Sequence, residues 1–315
     1  MAIVPADQRA VASREGSTDV RAMAIVTTLF FMWGFLTSLN DILVPHLKAI
    51  FELNYTQVML VQFSFFSSYF VFAMPSGKLI ELIGYKKSMV TGLVTMGVGG
   101  VLFVPAASAP SFALFLGALI VLAAGMTLLQ VSANPYVSVL GPERTASSRL
   151  NLTQAFNSLG TTIGPYLGGV LILSGTAKTM AQMQQMSAPA LEAYRIEQAS
   201  SVKMPYTLMS AALLLLALAI ASLHLPTIST EKGGEGAHRQ GSIWKIRHLV
   251  LGAVGIFVYV GAEVAIGSFL VNYFSQSYIG NMTEKAATAY VSFYWGGAMV
   301  GRFIGAAILQ KVPTG

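Results

Sequence analysis

Eight long apolar stretches run through this chain, and almost every charged residue falls between them. Each stretch reaches the roughly 20 residues that a helix needs to cross about 30 Å of hydrocarbon. Charged residues make up only 10% of the sequence, against roughly 25% in soluble domains. The sequence therefore predicts an all-α integral membrane protein. The predicted spans are approximately 22–45, 57–76, 88–107, 112–140, 150–174, 204–225, 247–275 and 287–309.

The positions of Lys and Arg predict the orientation of these spans. With a cytoplasmic N-terminus, twelve Lys and Arg residues fall in inner segments and five in outer ones. Such an excess is typical of cytoplasmic loops and predicts a cell inner (cytoplasmic) membrane protein with its N-terminus inside. Because these charges are scattered over many short loops, they do not form a nucleic-acid-binding face. The outer residues are Lys48, Lys178, Arg195, Lys203 and Lys285.

Polar segments divide the chain into four parts. Residues 1–21 form a cytoplasmic tail, and the first span is no signal peptide because seven more spans follow it. Residues 22–225 hold a six-helix bundle, and the Gly-rich segment 226–246 is a cytoplasmic linker. Residues 247–315 hold two helices, which we interpret as the start of a second six-helix bundle that the chain does not complete. The alternatives are a complete eight-helix protein and an inactive fragment.

Ionisable residues inside spans are candidates for function because they are expensive to place there. Glu263 lies well inside the seventh span, and Asp41 follows the apolar run of the first span. Either carboxylate is a candidate for proton or cation coupling, while the alternatives are a structural acid for Glu263 and an interfacial acid for Asp41. Arg302 is expected near the inner side of the last span, too far in depth from Glu263 for a direct pair. We expect it to snorkel or to clamp a loop.

Amides within the spans form a second group of candidates. Gln130 and Asn134 are four residues apart and share a helix face. Amides supply both donors and acceptors, and with aromatic rings they suit an uncharged polyhydroxyl ligand. The alternative for each amide is an interhelical hydrogen bond. The predicted substrate-binding residues are Asn40, Gln130, Asn134, Gln154, Asn157, Trp33 and Tyr273.

The remaining motifs narrow the class of protein. The inner loop between the second and third spans holds Gly77, Glu81, Gly84, Lys86 and Lys87. Its glycines allow a tight turn, and its charges can hold neighbouring helix ends, so we predict a conformational latch with Arg302 as a further member. A metal site and an enzyme are disfavoured, because there is no Cys, no H-E-x-x-H and no G-x-S-x-G. A membrane sensor would need an output domain, for which the tails are too short.

The loop resembles the signature loop of the major facilitator superfamily, with Glu81 where the family usually has Asp. Segments 30–35, 39–45, 132–142 and 149–160 resemble the fucose–galactose–glucose:proton symporters, most of all the glucose/galactose branch. The resemblance covers about residues 21–311. It implies twelve helices, alternating access and a monomer that imports a monosaccharide across the bilayer without a cofactor.

The same resemblance bears on the role of Asp41 and on the choice of substrate. Asp41 matches a first-helix aspartate that is a protonation site in the family. Gln130 stands where L-fucose members have a glutamate, which puts L-fucose in doubt as the substrate. Some relatives are linked to sodium, so H⁺ and Na⁺ both stay open as the coupling ion.

Overall fold

Every regular element that the computed structural model describes is a helix. The described residues are 18–51, 53–108, 111–172, 182–183, 185–223, 225, 245–282 and 284–312. A short 3₁₀ turn, Glu143–Thr145, joins two of the helices. The helices are α1 (Val20–Phe51), α2 (Tyr55–Ser108), α3 (Phe112–Val139), α4 (Ala146–Ile172), α5 (Ala188–Ser200), α6 (Lys203–Ser222), α7 (Arg247–Ser275) and α8 (Glu284–Ile308). The predicted all-α fold is confirmed.

Helix α2 contains the second and third predicted spans, and its helical conformation continues across most of the predicted loop between them. The break is at Gly84, whose φ of 79° and ψ of 167° lie outside the helical region. Glycine adopts such a positive φ without the steric penalty that a Cβ brings. The prediction that Gly77 also shapes the turn is wrong, because Gly77 lies in regular helix seven residues earlier.

Length and apolar composition make five helical stretches of the described residues candidates for membrane spans. One of them, Met59–Ser108, contains both arms of α2. Helices α4 and α8 are not among the five, yet they have 27 and 25 residues. At 1.5 Å per residue they are about 40 Å and about 37 Å long, enough to cross the hydrocarbon. The five are Val20–Leu39, Met59–Ser108, Phe112–Val139, Ala188–Ser222 and Arg247–Gly267.

Helix α5 was not predicted, since residues 175–203 fall between the fifth and sixth predicted spans. It begins after Ser187 in an extended conformation, with a proline in its first turn. Proline is well suited to the first helical turn, where its missing N–H would have no partner. Its residues Ala, Leu, Glu and Gln then favour helix. The segment is too polar for its pattern to stand out as a span, which is why its helical structure was missed.

The described helices belong to two compact units, each considered by itself below. The first consists of residues 1–230 with 305–315, and the second of residues 231–304. In the first unit α2 packs mainly against α3 and α6, while α1 packs mainly against α4. Phe103 of α2 stacks on Tyr206 of α6 with ring centroids 4.1 Å apart, and Phe115 of α3 meets Phe103 edge-on. Such close packing holds helices together where the solvent is itself apolar.

Candidate functional site

Helices α1 and α4 approach closely enough for side chains of one to reach the backbone of the other. The Asn157 Nδ2 group donates a hydrogen bond of 3.0 Å to the Phe30 carbonyl oxygen across this contact. A Cβ at Gly160 would overlap the Phe31 carbonyl and lie 2.8 Å from the Phe35 nitrogen. Small residues permit this separation, which fixes the α1 segment containing Trp33 against α4.

A polar cluster lies in the first unit where α1, α2 and α3 meet. The Gln130 Nε2 group donates a hydrogen bond of 3.1 Å to the Tyr69 hydroxyl. The side chains of Trp33 and Thr37 also lie beside Tyr69, whose hydroxyl lies 3.5 Å from Met126 Sδ. All five side chains come from apolar spans, and most are only partly exposed. We call Trp33, Thr37, Tyr69, Met126 and Gln130 the polar cluster.

The structure brings together some of the predicted substrate-binding residues. Trp33 and Gln130 both lie beside Tyr69, and Asn157 is bonded to the backbone three residues before Trp33. Asn134 and Gln154 are half-buried in α3 and α4. Asn40 and Asp41 are within α1, but their side chains lie outside the described part of the structure. Tyr273 is in the second unit, where its ring contacts Phe274 edge-on.

Tyr69 was not among the residues predicted from the sequence. Its signal was a hydroxyl-rich triplet, Ser67, Ser68 and Tyr69, in the middle of an apolar span. Polar groups inside spans are functional candidates by default, but a tyrosine ring is also ordinary on a lipid-facing surface. The hydrogen bond from Gln130 of the neighbouring helix α3 is what distinguishes a functional hydroxyl from a lipid-facing ring.

Glu263 and Arg302 form an ion pair in the second unit. Arg302 Nη2 lies 2.8 Å from Glu263 Oε1, with exposed side-chain fractions of 25% and 14%. The Tyr294 hydroxyl also donates a hydrogen bond of 3.2 Å to the Glu263 carbonyl oxygen. The prediction that depth prevents this pair is therefore wrong.

The error came from measuring depth from the helix ends. Ring contacts set Phe274 level with Tyr290, and the Trp295 ring lies against Gly267. With the antiparallel helices in this register, Glu263 and Arg302 come level. Glu263 is about 24 Å from the start of α7, whereas Arg302 is only about 9 Å from the end of α8. The prediction assumed that the two helices end at one level, and in the structure they do not.

The segment of α2 next to Gly84 contacts the end of α6. Lys86 Nζ donates a hydrogen bond of 2.8 Å to the carbonyl oxygen of Ala221 in the last turn of that helix. A cation is favourable there, because the helix dipole places negative charge at its C-terminus. Glu81 and Lys87 are exposed. The latch role of Gly77, Glu81, Gly84, Lys86, Lys87 and Arg302 stays a prediction.

Arg149 is the second residue whose structural part the sequence did not reveal. It is 4% exposed and donates to the carbonyl oxygens of Val137, Ser138, Gly141 and Pro142 and to Thr145 Oγ1. Carbonyls at a helix C-terminus have no partner within the helix. One guanidinium thus satisfies the end of α3 and fixes the turn into α4. The available signal was an arginine at the junction of two spans.

We expect Arg149→Lys to destabilise the first unit. A lysine ammonium donates from one point and cannot reproduce the planar fork that serves four carbonyls. Buried carbonyls left unpaired should lower the free energy of unfolding by roughly 2–3 kcal/mol. Thermal unfolding of the detergent-purified protein measures this loss. The matched control is Arg144→Lys at an exposed position of the same connection, and equal shifts in both variants would contradict the prediction.

Within the part of the chain that the structure describes, no group of three or more His, Cys, Asp or Glu side chains could hold a metal ion. The polar groups of the site are instead hydroxyl, amide and indole groups that lie close together within a bundle of apolar helices. The fold and this cluster define a polytopic α-helical membrane protein with an uncharged polar site in its first unit.

Comparison with known proteins identifies the family. Residues 25–315 match the profile of the Major Facilitator Superfamily. The chain is 51% identical over 294 residues to the glucose/galactose transporter of Brucella abortus biovar 1 (strain 9-941), covering 93% of this chain and 68% of that protein. It is 36% identical over 296 residues to the L-fucose-proton symporter of Escherichia coli (strain K12), covering 91% and 67%.

A solved structure agrees with these relatives. The crystal structure of a major facilitator superfamily transporter in the outward conformation superposes with a TM-score of 0.83 and 35% identity, over 92% of this chain and 71% of that one. The chain therefore belongs to the major facilitator superfamily, and within it to the group of the glucose/galactose transporters and L-fucose-proton symporters. The resemblance seen in the sequence motifs is confirmed.

Proposed function

We propose that this protein is a secondary active transporter that imports a hexose, glucose or galactose, together with a proton. The observation that carries the proposal is the 51% identity to a glucose/galactose transporter over 93% of the chain. The polar cluster supports it, because Trp33, Tyr69 and Gln130 offer an aromatic face, a hydroxyl and an amide. Those groups suit the apolar faces and hydroxyls of a sugar and provide no charge that an uncharged ligand would leave unpaired.

Substrate and cation are coupled through a carboxylate in this proposal. Asp41 takes up a proton from the outside, which neutralises a charge that is unfavourable within a closed, dry cavity. The protein then alternates its access and releases sugar and proton inside. Glu263 is the second candidate for this role, although its pairing with Arg302 already compensates its charge.

The sequence also bears on the location and the partners of the transporter. The excess of Lys and Arg in alternate segments supports a cell inner membrane location with a cytoplasmic N-terminus. The partners are a monosaccharide and the lipid bilayer, and the transporter works as a monomer. It is a carrier and not an enzyme, so it needs no cofactor beyond the coupling ion.

Uptake in membrane vesicles tests the proposal. The protein, expressed from its full reading frame, should accumulate labelled glucose or galactose when an inward proton gradient is imposed, and lose the accumulation when the gradient is collapsed. Accumulation driven only by an inward sodium gradient would replace H⁺ by Na⁺. Inserted, folded protein that takes up neither sugar under any gradient would overturn the proposal.

Asp41→Asn separates coupling from binding. An asparagine cannot exchange a proton, so gradient-driven accumulation should fall to the level of empty vesicles. Exchange of internal for external sugar should persist, because that reaction needs no net proton transfer. The matched variant Asp19→Asn changes an acid at the start of α1, where its side chain accepts from the Ala22 N–H, and should keep accumulation. Full accumulation by Asp41→Asn would remove the coupling role.

A further inference from the structure

Tyr69 contacts predicted substrate-binding residues but was not itself predicted to bind substrate. Its hydroxyl accepts from Gln130 Nε2 and is directed toward Met126 Sδ, a weak acceptor. Met126 and Gln130 are four residues apart in α3, and therefore share one helix face. Trp33 and Thr37 are likewise four apart in α1, and Thr37 Oγ1 donates to the Trp33 carbonyl. Tyr69 from α2 is thus bonded to one face of α3 and lies beside one face of α1.

The bond to Tyr69 determines which end of the Gln130 amide remains available. A glutamine amide has two N–H donors and one carbonyl oxygen that accepts. The Tyr69 hydroxyl proton is directed toward Met126 Sδ, so the hydroxyl oxygen accepts from Nε2, and exchanging the two ends of the amide would require that proton to turn away from the sulfur. The oxygen is then left to accept from a ligand hydroxyl. A long side chain held in advance also loses less conformational freedom when a ligand binds.

The ring of Tyr69 is itself held in place. It packs against Phe65, with ring centroids 5.3 Å apart, and Phe65 is 1% exposed. The ring therefore cannot swing away from α3 without disturbing the core. Because the ring is rigid, the hydroxyl that accepts from Gln130 Nε2 has a fixed position.

We propose that Tyr69 is a positioning residue that sets sugar specificity by orienting the Gln130 amide. This inference rests on the proposed function. The Gln130 oxygen accepts from one hydroxyl of the hexose, and the protein discriminates against the sugar that lacks that hydroxyl. A site built to hydrogen-bond a hydroxyl rejects the analogue without it, because its own polar group is then left unpaired.

The experiment measures equilibrium binding of galactose and its four monodeoxy analogues to the purified full-length protein. The variants are Tyr69→Phe, Gln130→Ala and the two combined. Tyr69→Phe keeps the ring and its packing but removes the hydroxyl. The control is Tyr206→Phe, which removes a phenolic hydroxyl from a ring stacked on Phe103, away from the polar cluster. Thermal unfolding of every variant shows that it is folded.

We expect the wild-type protein to bind one monodeoxy sugar about tenfold more weakly than galactose, and Tyr69→Phe to bind galactose about tenfold more weakly than the wild type does. The penalty for that one analogue should shrink to about threefold or less in Tyr69→Phe and Gln130→Ala, while the ranking of the other analogues stays unchanged. The double variant should bind no more weakly than Gln130→Ala, since both changes remove one interaction. Tyr206→Phe should behave as the wild type. A purely structural role for Tyr69 would weaken all five sugars equally.

Three results would overturn the inference. The first is a Tyr69→Phe protein that keeps the full discrimination of the wild type. The second is a double variant whose loss equals the product of the two single losses, because the two residues would then act independently. The third is a wild-type protein that binds galactose but discriminates against none of the analogues. Wild-type protein that binds no hexose at all would instead remove the proposed function, and the specificity role of Tyr69 with it.

Discussion

Replacing Arg302 by Gln is expected to destabilise the second unit strongly, and replacing Glu263 by Gln should do nearly the same. The two side chains are 2.8 Å apart and mostly shielded. Either single change removes this ion pair and leaves the other charge among apolar helices without that partner. Breaking a buried pair from one side typically costs about 3–5 kcal/mol, and incomplete burial here places the expected loss near the lower end, about 3 kcal/mol.

The double variant Glu263→Gln with Arg302→Gln should recover most of the lost stability. Two neutral amides can still hydrogen-bond, and neither leaves a charge behind. Thermal unfolding in detergent measures all three variants. Lys311→Gln is the matched control, because it removes an exposed cation just beyond α8. Two results would show that the pair contributes no coupled stabilisation. One is single variants that unfold like the wild type, and the other is a double variant whose loss of stability equals the sum of the two single losses.

The double variant also tests whether Glu263 has a part in transport. Once stability is restored, any remaining loss of gradient-driven accumulation reflects the missing carboxylate and not a damaged fold. Normal accumulation would assign Glu263 a structural part and leave Asp41 as the coupling acid. This separation is possible because the pair can be neutralised as a unit.

The membrane fold could be predicted because composition and length dictate it. An apolar stretch such as 112–140 has almost no alternative to a spanning helix, and the helix Phe112–Val139 follows it closely. The loop of α2 was placed correctly, but its length was overestimated. Only Gly84 leaves the helical conformation, because a single residue with positive φ is enough to break the helix there.

The candidate site was only partly predictable, because pairing between helices depends on their register. Gln130 was selected as an amide within a span, whereas its partner Tyr69 looked like any aromatic residue in a membrane. Asn157 was also selected, yet one end of its amide is bound to the Phe30 carbonyl. Glu263 and Arg302 were placed at different depths because their helices end at different levels. Sequence patterns specify what each helix carries, but not how far neighbouring helices are displaced along their axes.

Gly160→Val is expected to separate α1 from α4 and to prevent the first unit from reaching its native packing. The new side chain would overlap the Phe31 carbonyl oxygen, and its Cβ would lie 2.8 Å from the Phe35 nitrogen. Both are backbone atoms of α1, so no side-chain rotation can relieve the contact. Overpacking a tight interior costs typically 1–3 kcal/mol, and we expect about 3 kcal/mol or more here because the whole helix has to move.

Gly117→Val is the matched control, since Gly117 is a glycine within α3 with open space around the position of a Cβ. Both substitutions add the same side chain to a helix, so they share any change in helix propensity. Size-exclusion chromatography and thermal unfolding in detergent measure folded yield and stability. Gly160→Val should give little monodisperse protein, Gly160→Ala an intermediate amount, and Gly117→Val the wild-type amount. Equal behaviour of the two valine variants would mean that close approach of α1 and α4 does not limit folding. Because the same contact fixes the segment that contains Trp33, Gly160→Ala should also weaken sugar binding in whatever protein remains folded.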